Sequence, residues 1–245
     1  GSDEMLGGYM HSAYRVIADA LRSGRISQAY GEYAAHARRQ SMSLSRRLEL
    51  AAKSVLTTFT TEPSLYRLEL ERTAPWVLTT PARNIELRLA MPHGSRFNGF
   101  LVNLMRTTLL PTLLHTEDIN AMAWGIESRV PFLDHRLVDL CMSMPTRHRF
   151  YRGESKRVLR AAMRGTVPDE ILDRRDKTGF ITPGHTRWLR GGLRHLLEGS
   201  WSSLDGIADA TRVQRCVDDY LAGNDANALF IWRLAVLRLF VQHHS

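Results

Sequence analysis

A mainly α-helical fold is predicted for this chain of 245 residues, and two observations carry the prediction. Apolar residues recur at helical spacing in most segments, and no run of alternating β-branched residues appears anywhere. Proline and glycine divide the helical segments from one another.

The elements follow in order. Gly1-Ser2-Asp3-Glu4-Met5-Leu6-Gly7-Gly8-Tyr9 reads as a glycine-flanked acidic turn. A helix is predicted over about 12–23, with Val16, Ile17, Ala20 and Leu21 on one face and Gly24 to stop it. Residues 26–38 and 44–56 read as two more helices. Pro63, Pro75, Pro81, Pro92 and Gly94 break up 57–99, which reads as an irregular connector holding short helices. Periodicity returns at Phe100 and runs into Pro111. Further helices are predicted over 117–126, 135–144 and 154–164, with Pro168 opening a short one and Thr182-Pro183 starting another through Trp188 to about Leu197. Segments 213–221 and 226–241 close the chain, the last apolar on a wide face.

A hydrophobic fraction of 44% and a charged fraction of 24% are ordinary for a globular protein and argue against global disorder. No apolar run approaches the roughly 20 residues that cross a bilayer, and no signal peptide opens the chain. A cytoplasmic protein with two free thiols, Cys141 and Cys216, is therefore expected rather than a disulfide or a metal site. The formal net charge of +8 raises the question of a nucleic-acid partner. The arginines are scattered through helical segments without an aromatic-interleaved or zinc-finger pattern, which argues for a solvated basic surface instead.

Lysine occurs only at Lys53, Lys156 and Lys177, so where it persists a compact ammonium is a candidate requirement. Two stretches stand out around these positions. Asp118 to His135 reads as a helix, the acidic-basic pair Glu127 and Arg129, and a proline-set turn whose Asp134 caps the next helix. Glu127, Arg129 and Asp134 can equally form a partly buried salt-bridge cluster. Gly153-Glu154-Ser155-Lys156 is followed by Arg174-Arg175-Asp176-Lys177-Thr178-Gly179-Phe180. A lysine among arginines in a loop calls for an anion such as a triphosphate or pyrophosphate, unless it is simply solvated.

In their order these motifs resemble the glutamine-hydrolysing asparagine synthetases. Gly1-Ser2-Asp3-Glu4 with Gly7-Gly8-Tyr9 is similar to that family's acidic loop. Asp118 to His135 resembles its Met-Ala…Glu-x-Arg-x-Pro-Phe-Leu-Asp stretch, and Arg175 to Phe180, with Pro183 and Trp188, its Arg-x-Lys-x-Gly-Phe loop. The resemblance implies the C-terminal helical portion of an α/β adenine-nucleotide synthetase domain of the ATP-pyrophosphatase type, its parallel sheet largely missing. It divides the chain into an acidic loop and helix (1–24), a variable helical insertion (25–115) and a motif-bearing helical region (116–245).

The implied reaction is ATP-dependent amide formation, in which the aspartate side-chain carboxylate is adenylated and glutamine-derived ammonia displaces AMP to give asparagine. ATP and Mg2+ are the implied cofactors. By resemblance Asp3 and Glu4 lie on the ATP or pyrophosphate side, with Asp3 meeting Mg2+ through pyrophosphate. Lys177 serves both phosphate binding and catalysis. Asp118, with neighbouring Glu117, matches the acidic position before Met-Ala, where a carboxylate orients or deprotonates the nucleophile. Ile119 departs from the family's usual arginine. The Ser-Gly-Gly-x-Asp-Ser pyrophosphate loop and the amino-terminal glutaminase domain are not in this sequence. They are the expected partners, beside a homodimer as a candidate assembly, and the chain by itself is expected to bind ATP poorly. A β-lactam synthetase, a lasso-peptide cyclase or a non-catalytic helical remnant are the alternatives.

Overall fold

The structure, a computed structural model, describes residues 1–60, 64, 95–175, 185–204 and 206–244. The chain divides into two units, Gly1–Leu65 with Leu87–Lys177, and Tyr66–Glu86 with Thr178–Ser245.

The first unit is built around α2 (His11–Arg22). Ala13, Val16, Ile17 and Ala20 repeat at the spacing of one helical face, and all four are buried. That face packs among α3 (Ile26–Arg39), α4 (Leu44–Phe59) and α5 (Arg96–Asn103), meeting Ala29, Leu50, Phe97, Phe100 and Leu101. Asp19, at the polar edge of α2, fixes the start of α5. Its carboxylate accepts from Ser95 Oγ (2.6 Å), Arg96 N (2.6 Å) and Phe97 N (3.1 Å), groups a helix start leaves without intrahelical partners.

Beyond α5 come a π-helical turn, Leu104–Thr108, and α6 (Leu110–Met122). Pro111 was expected to end the apolar run. It lies instead in the first turn of α6, where its missing N–H is no loss. The helix predicted over 117–126 is the second half of α6, which ends earlier because Gly125 turns left-handed (φ 66°). From Leu113 to Phe132 the surface is unusually apolar: Leu113, Ile119, Met122, Ile126 and Val130 are exposed, and Trp124 is 83% exposed.

A 3-10 turn (Pro131–Leu133) leads into α7 (His135–Ser143). α8 (Thr146–Arg149) then precedes a hairpin of β1 (Phe150–Tyr151) and β2 (Glu154–Ser155). The helix predicted over 154–164 is therefore only partly formed. Arg152 and Gly153 form a left-handed two-residue loop (φ 49° and 74°), and Lys156 is left-handed as well (φ 56°), so α9 (Arg157–Ala162) starts three residues late. α10 (Asp169–Leu172) follows Pro168 as predicted. Arg149 is fully buried. Its Nη2 donates to Asn98 Oδ1 (2.5 Å), its guanidinium faces the Phe97 ring, and burial lowers its pKa.

The second unit has its own core of Leu189, Trp201, Val213, Val217, Tyr220 and Ile231 among others. α11 (Ala210–Leu221) is capped by Asp209, whose side chain accepts from Arg212 N, and α12 (Ala228–His244) supplies Ile231, Leu234 and Ala235. Arg238 stacks on Trp201, and its Nη2 donates to the carbonyls of Leu196 (2.6 Å) and Glu198 (3.0 Å). The helix predicted from Thr182 to Leu197 is not continuous. Its first residues lie outside the described ones, and the rest forms two 3-10 turns, Trp188–Arg190 and Arg194–Leu197, parted by Gly191 and Gly192. Mainly α is the observed class, and among the described residues β1 and β2 are the only strands. The parallel sheet of the parent domain was expected to be largely missing from this portion, and the described residues hold only the antiparallel β1–β2 pair.

Candidate functional site

The acidic turn expected at the start of the chain is a short helix, α1 (Ser2–Leu6). Gly7 ends it in the left-handed conformation (φ 67°), and Gly8 N bonds back to the Asp3 carbonyl (2.9 Å). One side of α1 turns inward. Met5 and Leu6 pack with Cys141, Leu137 and Val138 of α7 and with Val158 and Leu159 of α9. Glu4 also points in and is only 2% exposed. Its carboxylate accepts from the Gly1 amino group and from the Tyr9 hydroxyl, each at 2.5 Å. Burial pushes its pKa up, but these two donors outweigh burial and hold it below the ordinary value. The Tyr9 hydroxyl is raised in turn, by burial first and by Glu4 next.

The other side of α1 carries Ser2 and Asp3, and Lys156 reaches them from the far end of the hairpin. Its Nζ lies 3.1 Å from Asp3 Oδ1 and donates to Ser2 Oγ at 3.2 Å. Its backbone N–H donates to the Leu6 carbonyl (3.1 Å), which ties the hairpin to the end of α1. Gly8 completes the corner: a Cβ there would come within 1.8 Å of Asp3 Oδ1 and 2.6 Å of Lys156 Cε. Both side chains are about a quarter exposed, at 26% and 25%. The corner therefore leaves a carboxylate and an ammonium partly exposed to solvent.

Two of the sequence motifs meet at this corner. A Cβ on Gly1 would approach Phe132 Cβ to 2.7 Å, so the start of α1 rests against the Pro131–Leu133 turn. Beside it, Glu154 bridges Arg39 (3.1 Å) and Arg157 (3.2 Å). Gln40, at the end of α3, donates to the Arg175 carbonyl (3.4 Å), the last described residue before the lysine loop.

The asparagine synthase family model matches residues 1–242. This chain belongs to the asparagine synthase family. It is similar to a putative glutamine-hydrolyzing asparagine synthetase of Mycobacterium tuberculosis, 30% identical over 146 residues that cover 56% of this chain and 22% of that protein. Glutamine-hydrolyzing asparagine synthetase 1 of Bacillus subtilis is 28% identical over 138 residues, again 56% of this chain and 22% of the relative. Asparagine synthetase 3 of the same organism is 33% identical over 92 residues, covering 38% and 14%. The chain thus spans about a fifth of the length of the first relatives it matches. No solved structure gives a significant match.

The remaining expected site residues of this asparagine synthase family chain fall in different places. Glu117 and Asp118 lie exposed on α6, where Glu117 accepts a bond from Ser128 Oγ (3.3 Å). Lys177 lies outside the described residues, as do Asp176 and 178–184. The salt-bridge cluster considered for Glu127, Arg129 and Asp134 is not buried. Glu127 and Arg129 pair in solvent (2.8 Å), while Asp134 caps α7 through Arg136 N and pairs with the Arg136 side chain (2.9 Å). Among the described residues no group of three His, Cys, Asp or Glu side chains is placed to hold a metal. No helix among them is long and apolar enough to cross a membrane. Both cysteines are free, Cys141 buried and Cys216 partly so. Lys156 belongs to this corner although the family motifs assign it no role; its signals were the rarity of lysine and the Gly153–Lys156 stretch that ends on it.

Proposed function

We propose that this chain forms part of a synthetase that makes asparagine from aspartate, ATP and ammonia released from glutamine. The observation that carries this reading is the family match over residues 1–242, joined to the corner in which Asp3 and Lys156 share one edge of α1.

In this reading the aspartate side-chain carboxylate attacks the α-phosphorus of ATP, an acyl-adenylate forms and pyrophosphate leaves. Ammonia then adds to the acyl carbon, AMP departs, and loss of a proton from nitrogen leaves the amide. The chain's own residues take three roles. Lys156 and Lys177 present compact cations to the phosphate oxygens, stabilising charge that builds on them as pyrophosphate leaves. Asp118, with Glu117 on the same helix, orients or deprotonates the attacking amine. Glu4 stands with Asp3 on the phosphate side of the corner, its carboxylate held by the Tyr9 hydroxyl.

Asp3 would meet Mg2+ through the phosphates. One partly exposed carboxylate plus phosphate oxygens is a donor set that suits this ion, and it fits a corner with a single aspartate. When bound, Mg2+ neutralises the triphosphate against an incoming carboxylate.

The test is product analysis of the protein that carries this chain, with ATP, Mg2+, L-aspartate and either glutamine or ammonia. Asparagine, AMP and pyrophosphate in equal amounts are expected. Aspartate-independent ATP turnover, or turnover without asparagine, overturns the reading.

A further inference from the structure

A cavity of about 630 Å³ opens in the first unit between α2, α3 and the stretch from Pro145 to Arg152. Neither α1 nor Lys156 lines it, although Tyr151 and Arg152 belong to the hairpin that leads to Lys156. Arg25, Arg147 and Arg152 are among the residues that line it, with Tyr151 and Glu32. Among the described residues none of these three arginines forms an ion pair. The other carboxylate in the wall, Asp19, is committed to Ser95, Arg96 and Phe97.

Glu32 is 3% exposed, and its Oε2 has no hydrogen-bond partner among the described residues. A buried carboxyl oxygen without a donor is unfavourable, and this one belongs to a residue that lines the cavity. Burial raises the Glu32 pKa, against the backbone N–H groups of Arg152 and Gly153 and the charges of Arg152 and Arg157. A donor arriving at Oε2 would act against that shift.

The backbone at the rim is strained in the same direction. Arg152 occupies the first loop position of the hairpin at φ 49°, where Asn, Asp or Gly is the favoured residue. Gly153 follows because a Cβ there would come within 2.5 Å of His36 Cα. The hairpin tip is thereby pressed onto α3 one turn from Glu32, and Arg152 is held beside it at a cost the turn does not require.

We propose that this cavity is a second ligand site, taking a small zwitterion whose acid group is held by Arg147 and Arg152 and whose amino group donates to Glu32 Oε2. Two arginines without an ion pair call for an acid group, and the orphaned carboxyl oxygen calls for a donor on the same molecule. The inference does not depend on the synthetase reaction.

Calorimetric titration of the full chain with L-glutamate and with glutarate, which lacks the amino group, tests it. L-glutamate is expected to bind about tenfold or more tighter than glutarate. Glu32→Gln should erase that difference. Arg152→Gly should weaken L-glutamate by about tenfold or more while Tm stays level or rises, because glycine suits the turn. The proposal is overturned if L-glutamate gives no binding at about 10 mM, if glutarate binds as tightly, or if Arg152→Gly leaves affinity unchanged. It is overturned equally if binding survives that variant but is lost in Asp3→Asn, which would place the ligand at the α1 corner.

Discussion

The Lys156 ammonium stands 3.1 Å from the Asp3 carboxylate, and the lysine that puts it there has a left-handed backbone (φ 56°). The two features can be separated by mutation. Lys156→Gly removes the ammonium and relieves the backbone, so stability should hold within about 1 kcal/mol. Aspartate-dependent pyrophosphate release by the protein carrying the chain should fall by about a hundredfold or more, since charge stabilisation is lost. A large drop in Tm with proportionate loss of activity would make Lys156 a structural residue.

Gly8 tests the same corner from the backbone side. An alanine there would drive its Cβ into Asp3 Oδ1 and Lys156 Cε. Gly8→Ala should cost about 1–3 kcal/mol in denaturant unfolding and part the two charged groups. Unchanged stability and activity would mean the corner has room to yield.

These two predictions lean on a residue that sequence reasoning did not place, and the reason is physical. Helices with a clear apolar face, such as α2, α3, α4, α7 and α11, were legible because each buries a stripe that recurs at helical spacing. Asp3 was legible because its loop matches a family pattern. Lys156 depends on contacts made across 154 positions of chain, which no local pattern carries. The hairpin was missed because its strands are two residues long, too short to show alternation. Gly191 and Gly192 broke an expected helix into 3-10 turns although the flanking residues look helical.

Asp19 joins α2 to α5 through three donors. Asp19→Ala strands the Arg96 and Phe97 N–H groups and the Ser95 hydroxyl, and should cost about 2–3 kcal/mol in urea unfolding. Asp19→Asn retains one acceptor oxygen and should lose less. Equal losses in the two variants would contradict the capping role.

His36 is buried beside Phe150, and burial lowers its pKa, opposed by a backbone hydrogen bond involving Gly153. The unfolded chain therefore binds the proton more readily than the folded one. Stability should fall as pH drops from about 6.5, the ordinary histidine value, down to the depressed folded value, by at most about 1.4 kcal/mol per pH unit. Glu32, shifted upward, works in the opposite sense: its share of stability is lost as pH rises through its raised value. Comparing unfolding free energies of the wild type and His36→Phe across pH 5–7 isolates the histidine. An identical slope in both would remove His36 as its source.

Lys177 is expected to act through a compact charge at one point in space. Lys177→Arg should abolish asparagine formation by the protein carrying the chain while leaving Tm unchanged, because a planar guanidinium cannot take the same position. Near-normal turnover in that variant would reduce Lys177 to a solvated loop residue.

The apolar run from Leu113 to Phe132 has a consequence for how the molecules behave in solution. Trp124, Ile126 and their neighbours stand in water on a chain whose formal net charge is +8. In dilute buffer that charge keeps copies apart, whereas at physiological ionic strength its reach shrinks to about 8 Å. Added salt then does two things at once: it screens the repulsion and leaves the exposed indole and aliphatic groups to drive sticking. Light scattering of the chain should therefore rise with salt, the reverse of what a surface held together by ion pairs would give.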